Sequence, residues 1–321
     1  MRGWRLASLV TRPLMSRYGA ARLLVSFALL SMATSCSMLS KSDDWSEAGV
    51  AQGDQGVQAM VINSQVVTGQ TRLAFGLFAS NGTLVQDATG KVRLYKLDAN
   101  NKPTAAGEQE LRAVAIHNPS GSDKTPLATM YIANADIAGK DWWGAELLVK
   151  AGGKQYQHLR TRFFVSEKSN VPAVGSAVPH TTQPTTRDVK DVSEIDSSMP
   201  PRPELHSMTV AAAIDSKQPT VVAWATPAFC QTRFCGPVID EVVAPLAKEY
   251  AGKANFIHIE PYRLADARQG RLIPIPEMAQ WGLASEPYIF VVDAKGNVAA
   301  QFEGITAKDE VATVLDRLLK N

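Results

Sequence analysis

"EPYIFVVDAKGNVAAQFEG", residues 286–304, decides how the C-terminal third of this chain is read. Tyr288 to Val292 is an unbroken apolar run, the pattern of a strand buried on both faces. Asp293-Ala294-Lys295-Gly296-Asn297 is a turn signal, and the residues after it return as an antiparallel strand. Next, "TAKDEVATVLDRLLK" (306–320) sets Val311, Val314, Leu315 and Leu318 on one stripe of an amphipathic helix, with Thr306 and Glu310 near its start. Working back from the hairpin, "IPEMAQWGL" (275–283) reads as a short helix and "ANFIHIEPY" (254–262) as a strand. "PVIDEVVAPLAKEYAG" (237–252) is a helix opened by Pro237 and closed by Gly252. "TVVAWA" (220–225) is a second continuous apolar strand. The order over 206–321 is β-α-β-α-β-β-α.

Residues 56–166 follow another pattern. "TRLAFGLFAS" (71–80) alternates around Leu73, Phe75 and Leu77 and meets the turn dipeptide Asn81-Gly82. "KVRLYKLD", "ATMYIANADI", "WWGAELLVKAGG" and "KQYQHLRTRFFV" continue the set, and in the last Leu159, Thr161, Phe163 and Val165 share a face. Short alternating strands without a helix indicate an antiparallel, immunoglobulin-like β-sandwich. Trp142-Trp143 offers either a ligand platform or core and edge packing. Residues 167–205 are rich in Pro, Ser and Thr and read as a linker or a surface-draped connection. His180 and His206, in and just after this stretch, read as solvated side chains.

Two of the three cysteines, Cys230 and Cys235, stand in "ATPAFCQTRFCGP" (225–237). Closing so short a loop removes little unfolded-state entropy, so chemistry explains the pair better than stapling.

The element order and the "EPYIFVVDAKGNV" stretch resemble the thioredoxin-like superfamily over 206–321. That resemblance implies a pair of cysteines between the first strand and the following helix, where the helix N-terminus favours a thiolate. It also implies that Pro287 is cis and faces the cysteines. "FCGP" at 234–237 resembles thioredoxin "WCGP", which would make Cys235 the nucleophile; the other registration makes Cys230 the nucleophile and Cys235 the resolving thiol. The pair departs from the family in its four-residue spacing, in the lack of an acid within "TVVAWA", and in Glu286 before the proline. Glu286 either faces the dithiol, as a proton shuttle or a group that raises a thiol pKa, or faces solvent.

The implied activity is that of a thiol-disulfide oxidoreductase, with no cofactor, acting on protein thiol or disulfide substrates and reset by a redox partner. Two alternatives carry residues of their own. Some peroxiredoxins have "TPGC", which "TPAFCQTRFC" resembles, with Thr226 as the threonine. A copper-binding protein would use both thiolates and a histidine, for which His258 stands in the strand region.

The first 35 residues hold five arginines and no acid. "LLVSFALLSMA" (23–33) is shorter than the roughly 20 residues of a spanning helix and reads as the apolar region of an export signal. "ATSC" (33–36) resembles a bacterial lipobox, with Ala33 where that motif has leucine; the resemblance implies lipidation of Cys36, with residues 36–55 as a flexible tether. The expected location is the outer face of the cell membrane, where disulfides persist. Removing the five leader arginines from 33 basic residues leaves 28 against 31 acidic, a balance of −3 that gives no support to a nucleic-acid partner.

Overall fold

The computed structural model describes residues 45–46, 56–117 and 125–320. The expected signal, Cys36 and most of the expected tether lie outside them. Nine strands arise where apolar and polar residues alternate: β1 (Val57–Val61), β2 (Val66–Val67), β3 (Gly69–Ala79), β4 (Thr89–Leu97), β5 (Pro103–Glu110), β6 (Arg112–Ile116), β7 (Ala128–Ile137), β8 (Asp141–Ala151) and β9 (Lys154–Ser166). They form a four-stranded sheet, β1-β3-β7-β6, and a five-stranded sheet, β2-β9-β8-β4-β5. All pairings are antiparallel except β2 with β9. Leu73, Phe75, Leu77 and Tyr131 from one sheet share a core with Val92, Leu147, Leu159 and Phe163 from the other. Trp143 is buried, whereas Trp142 is 40% exposed, edge-on to Phe164 with Arg162 over its ring.

Trp45, which falls in the expected tether, is instead buried. Its ring lies 5.0 Å from that of Tyr95 and 4.7 Å from the Arg160 guanidinium. Gly144 makes the room, since a Cβ there would stand 2.3 Å from the indole. A large aromatic with a slot to fill overrides the polar composition around it.

The C-terminal part runs α1 (Val210–Asp215), β10 (Thr220–Trp224), α2 (Cys235–Val238), a wide π turn over Ile239–Val243, α3 (Ala244–Glu249) and β11 (Asn255–Ile259). Then come α4 (Leu264–Ala267), α5 (Pro276–Gln280), β12 (Tyr288–Val292), β13 (Val298–Glu303) and α6 (Lys308–Lys320). The third sheet is ordered β11-β10-β12-β13, with β10 parallel to β11 and the other pairs antiparallel. Every residue of β10, β11 and β12 is buried because both faces are covered. Val238, Val242, Leu246 and Leu315 cover one face; Val210, Ile214 and Trp281 cover the other. Pro245 has no N–H to give the preceding turn, and the π turn lies directly before α3, which begins around it. Thr209 caps α1, its hydroxyl accepting the Ala212 N–H at 3.0 Å.

Residues 167–205 are folded against this part rather than loose. Val171 and Val178 enter the core beside Trp281. The Trp281 indole N–H donates to Thr181 Oγ1 at 2.7 Å, and Gln183 Oε1 accepts the Val210 N–H at 3.1 Å. Gly282, at φ +64°, lets the Asn170 carbonyl approach to 1.9 Å from where a Cβ would sit.

The two β regions meet through Arg72, whose guanidinium donates to Glu310 at 2.8 Å and to the Glu303 and Ile305 carbonyls. Beside this contact, Ala74, Val114, Ile116 and Met130 form an apolar cluster with Ile305, and Phe234 packs against it. Among the described residues no helix is long and apolar enough to cross a membrane.

Candidate functional site

β10 delivers the chain to a buried Ala225-Thr226, after which it turns rather than entering the helix directly. The Cys230 N–H donates to the Thr226 carbonyl at 2.9 Å, and the Arg233 N–H to the Cys230 carbonyl at 3.2 Å. Arg233 adopts φ +66°, closing a turn that leaves Gln231, Thr232 and Arg233 exposed. Three of the four residues between the cysteines therefore form a surface knuckle. Phe234, anchored on the β-sheet cluster, returns the chain to Cys235, the first residue of α2.

The two cysteines occupy unlike surroundings. Cys230 is half-buried, while Cys235 has no exposed surface. The Cys235 N–H donates to Cys230 Sγ at 3.4 Å, and the Thr232 hydroxyl lies 3.2 Å from the same sulfur. The hydrogen bond from the Cys235 thiol, joined by the Thr232 hydroxyl and two backbone N–H groups, lowers the Cys230 pKa to about 5. Burial pushes the Cys235 thiol far above its ordinary range, and the hydrogen bond to Cys230 and the charge there push the same way. Cys230 is therefore the sulfur a partner can reach and Cys235 the enclosed one, the arrangement that the second of the two registrations requires.

Glu286 and Pro287 lie opposite the pair. The Glu286-Pro287 bond is cis. A carboxylate oxygen of Glu286 and both cysteine sulfurs all lie within 4.8 Å of one another, so Glu286 faces the dithiol rather than solvent. Burial raises its pKa, although the Tyr262 hydroxyl donates to Oε2 at 3.0 Å and opposes the shift. Glu260 follows β11 and is also buried, with a raised pKa caused first by desolvation; it accepts the Ser197 N–H at 2.8 Å. Ser197 Oγ in turn accepts the Ala228 N–H at 3.0 Å, which ties residues 196–198 to the cysteine loop.

The structure separates residues that the alternatives would join. His258 sits with Asp196 and His206, whereas the thiols sit with Glu286, so the thiolate-histidine copper set is not assembled. The hydroxyl on Cys230 Sγ belongs to Thr232, while Thr226 is fully buried beneath the loop. His180 is exposed, as the sequence suggests, but His206 is buried at 3% exposure. Polar contacts from the 196–206 loop, rather than apolar periodicity, bring it inside.

Sequence reasoning missed Thr232, Tyr262, Glu260 and Asp196. For Glu260 a signal existed, since an acid ending the apolar run "FIHI" must be buried or turned out. Asp196 lies in a stretch with no period at all. No family model matches the chain, and no curated protein matches it.

Proposed function

We propose that this protein is a thiol-disulfide oxidoreductase with a thioredoxin-like C-terminal domain, held by an immunoglobulin-like β-sandwich domain at the outer face of a cell membrane through a lipidated Cys36. The observation that carries the redox role is the asymmetry of the pair: a half-buried Cys230, its sulfur accepting the Cys235 N–H at 3.4 Å, beside a fully buried Cys235. The order β11-β10-β12-β13, with one parallel pair, supports the domain assignment. So does the position of Glu286, directly before Pro287, within 4.8 Å of both cysteine sulfurs.

In the reductive direction the Cys230 thiolate attacks one sulfur of a substrate disulfide. The substrate S–S bond breaks, a mixed disulfide forms at Cys230, and the first substrate sulfur leaves as a thiolate. Cys235 then gives its proton to the Glu286 carboxylate and attacks Cys230 Sγ, expelling the second substrate thiolate. The substrate gains two electrons and leaves as two thiolates, one proton rests on Glu286, any further protonation of the product comes from solvent, and the protein pair becomes a disulfide. A dithiol donor returns those electrons to the protein.

The test is equilibration of the full chain in thiol-disulfide buffers, with the redox state of Cys230 and Cys235 read by thiol labelling and reduction of insulin disulfides measured in parallel. A reversible two-electron transition with insulin turnover is expected. A pair that stays reduced, or an oxidised pair that resists the buffer and never turns over, excludes the redox role.

A further inference from the structure

Behind the cysteine loop lies a second cluster that the redox chemistry does not use. We propose that Asp196, His206 and His258 bind a divalent transition-metal ion of the zinc class. This inference does not depend on the redox role.

The three side chains come from separate places, the 196–202 loop, the residue before α1's capping turn, and the middle of β11, and all are buried to 2% side-chain exposure or less. Asp196 is presented as a carboxylate: Oδ1 accepts the Ser198 N–H at 2.8 Å and Oδ2 the Arg202 N–H at 2.6 Å. His258 Nε2 lies 2.9 Å from the Ala225 carbonyl. A carbonyl oxygen only accepts, so the proton is on Nε2 and the lone pair of the neutral ring is on Nδ1. That lone pair faces Asp196 Oδ1 at 3.6 Å, too long for a hydrogen bond. His206 Nε2 pairs with Asp196 Oδ2 at 3.3 Å, and neither His206 Nε2 nor His258 Nδ1 makes a well-aligned hydrogen bond.

A buried carboxylate facing two imidazole nitrogens that lack well-aligned hydrogen bonds offers three donor atoms to a cation. The spacing fits one. Tetrahedral zinc with bonds of about 2.0–2.2 Å sets its ligand atoms roughly 3.3–3.6 Å apart. The two Asp196 oxygens stand 3.3 Å (Oδ2 to His206 Nε2) and 3.6 Å (Oδ1 to His258 Nδ1) from the imidazoles, and one ligand atom from each residue lies within 4.8 Å of the other two. Two imidazoles and one carboxylate suit zinc, iron or copper and not magnesium or calcium. The Ala225 carbonyl on His258 and the two backbone N–H groups on Asp196 are the outer contacts that orient such ligands. A pocket of about 170 Å³, lined by His206 and His258 together with Glu260, Tyr262 and Ile275, adjoins the cluster.

The experiment removes the thiols first, because they bind zinc themselves. Full-length Cys230→Ser/Cys235→Ser protein is stripped with chelator, dialysed against Zn(II) and assayed for bound metal; Co(II) replaces zinc for spectroscopy. One retained equivalent of zinc is expected, with cobalt d–d bands and no thiolate charge-transfer band. Asp196→Asn and His206→Gln should weaken binding by more than the roughly 10–100-fold that follows loss of an outer contact. His206→Cys in the same background should restore a thiolate-to-cobalt charge-transfer band, a signal that only ligation at 206 gives and that unfolding does not. Absence of bound zinc in the double cysteine variant overturns the proposal. So does zinc binding that the Asp196 and His206 substitutions leave intact.

Discussion

The backbone N–H of Cys235 points at Cys230 Sγ from 3.4 Å, so the helix start that carries one cysteine offers the sulfur of the other a donor that favours negative charge. The extra residues of the C-x4-C loop make this possible. They fold back as a knuckle that returns Cys230 to the helix start and places the Thr232 hydroxyl on the same sulfur.

The pH dependence of alkylation follows directly. Hydrogen bonds at its sulfur pull the Cys230 pKa down, to about 5, so its reaction with iodoacetamide should be near maximal at neutrality and lost as pH falls through that value. Thr232→Val removes one stabilising hydroxyl and should raise the midpoint by about one unit. Mass-resolved alkylation of Cys230 is the measurement. A midpoint at the ordinary thiol value would contradict the assignment.

Glu286 should matter after the first bond forms. Burial holds its carboxyl above the usual range, placing it to take the Cys235 proton. Glu286→Gln should leave Cys230 alkylation nearly unchanged while slowing closure of the Cys230–Cys235 disulfide by about 100-fold, the low end of general-base effects. Stopped-flow resolution of a preformed mixed disulfide checks it, and equal effects on both steps would point to a purely structural role.

Arg72 and Glu310 pair across the junction of the β-rich part and α6, each with 10% of its side chain exposed. Arg72→Ala should destabilise the protein by about 1.5–3 kcal/mol, the range for a charged hydrogen bond. In denaturant unfolding, a double cycle with Glu310→Gln should be non-additive; simple additivity would mean that the pair carries no coupling.

Trp45 provides a test near the N-terminus. Because the indole fills a slot formed by Gly144, Tyr95 and Arg160, Trp45→Ala should cost about 3–5 kcal/mol. The unfolding midpoint checks this, and a change within error would return the segment to the status of a tether.

Apolar pattern made much of the fold legible. The runs at 220–224 and 288–292 are strands covered on both faces, and the stripe through Val311 and Leu315 is the buried side of α6. The thioredoxin resemblance implies that Pro287 faces the cysteines and leaves Glu286 open between the dithiol and solvent; a Glu286 carboxylate oxygen lies within 4.8 Å of both sulfurs. The choice of nucleophile was not legible, since it rests on a backbone N–H and on the burial difference between two identical side chains. Nor was the packing of 167–205, which depends on side chain to backbone bonds such as those of Gln183 and Asp196. Such bonds leave no period in a sequence. Thr209 before Val-Ala-Ala-Ala was a readable cap for α1 and was passed over beside the stronger strand that follows.

The most direct test of the redox role is trapping. Full-length Cys235→Ser protein, incubated with a disulfide-containing substrate such as insulin, should accumulate a mixed disulfide at Cys230 that dithiothreitol releases. Cys230→Ser should trap nothing, because Cys235 is buried and holds its proton. Trapping at Cys235 in the Cys230→Ser variant, or at neither residue, would contradict Cys230 as the attacking thiolate.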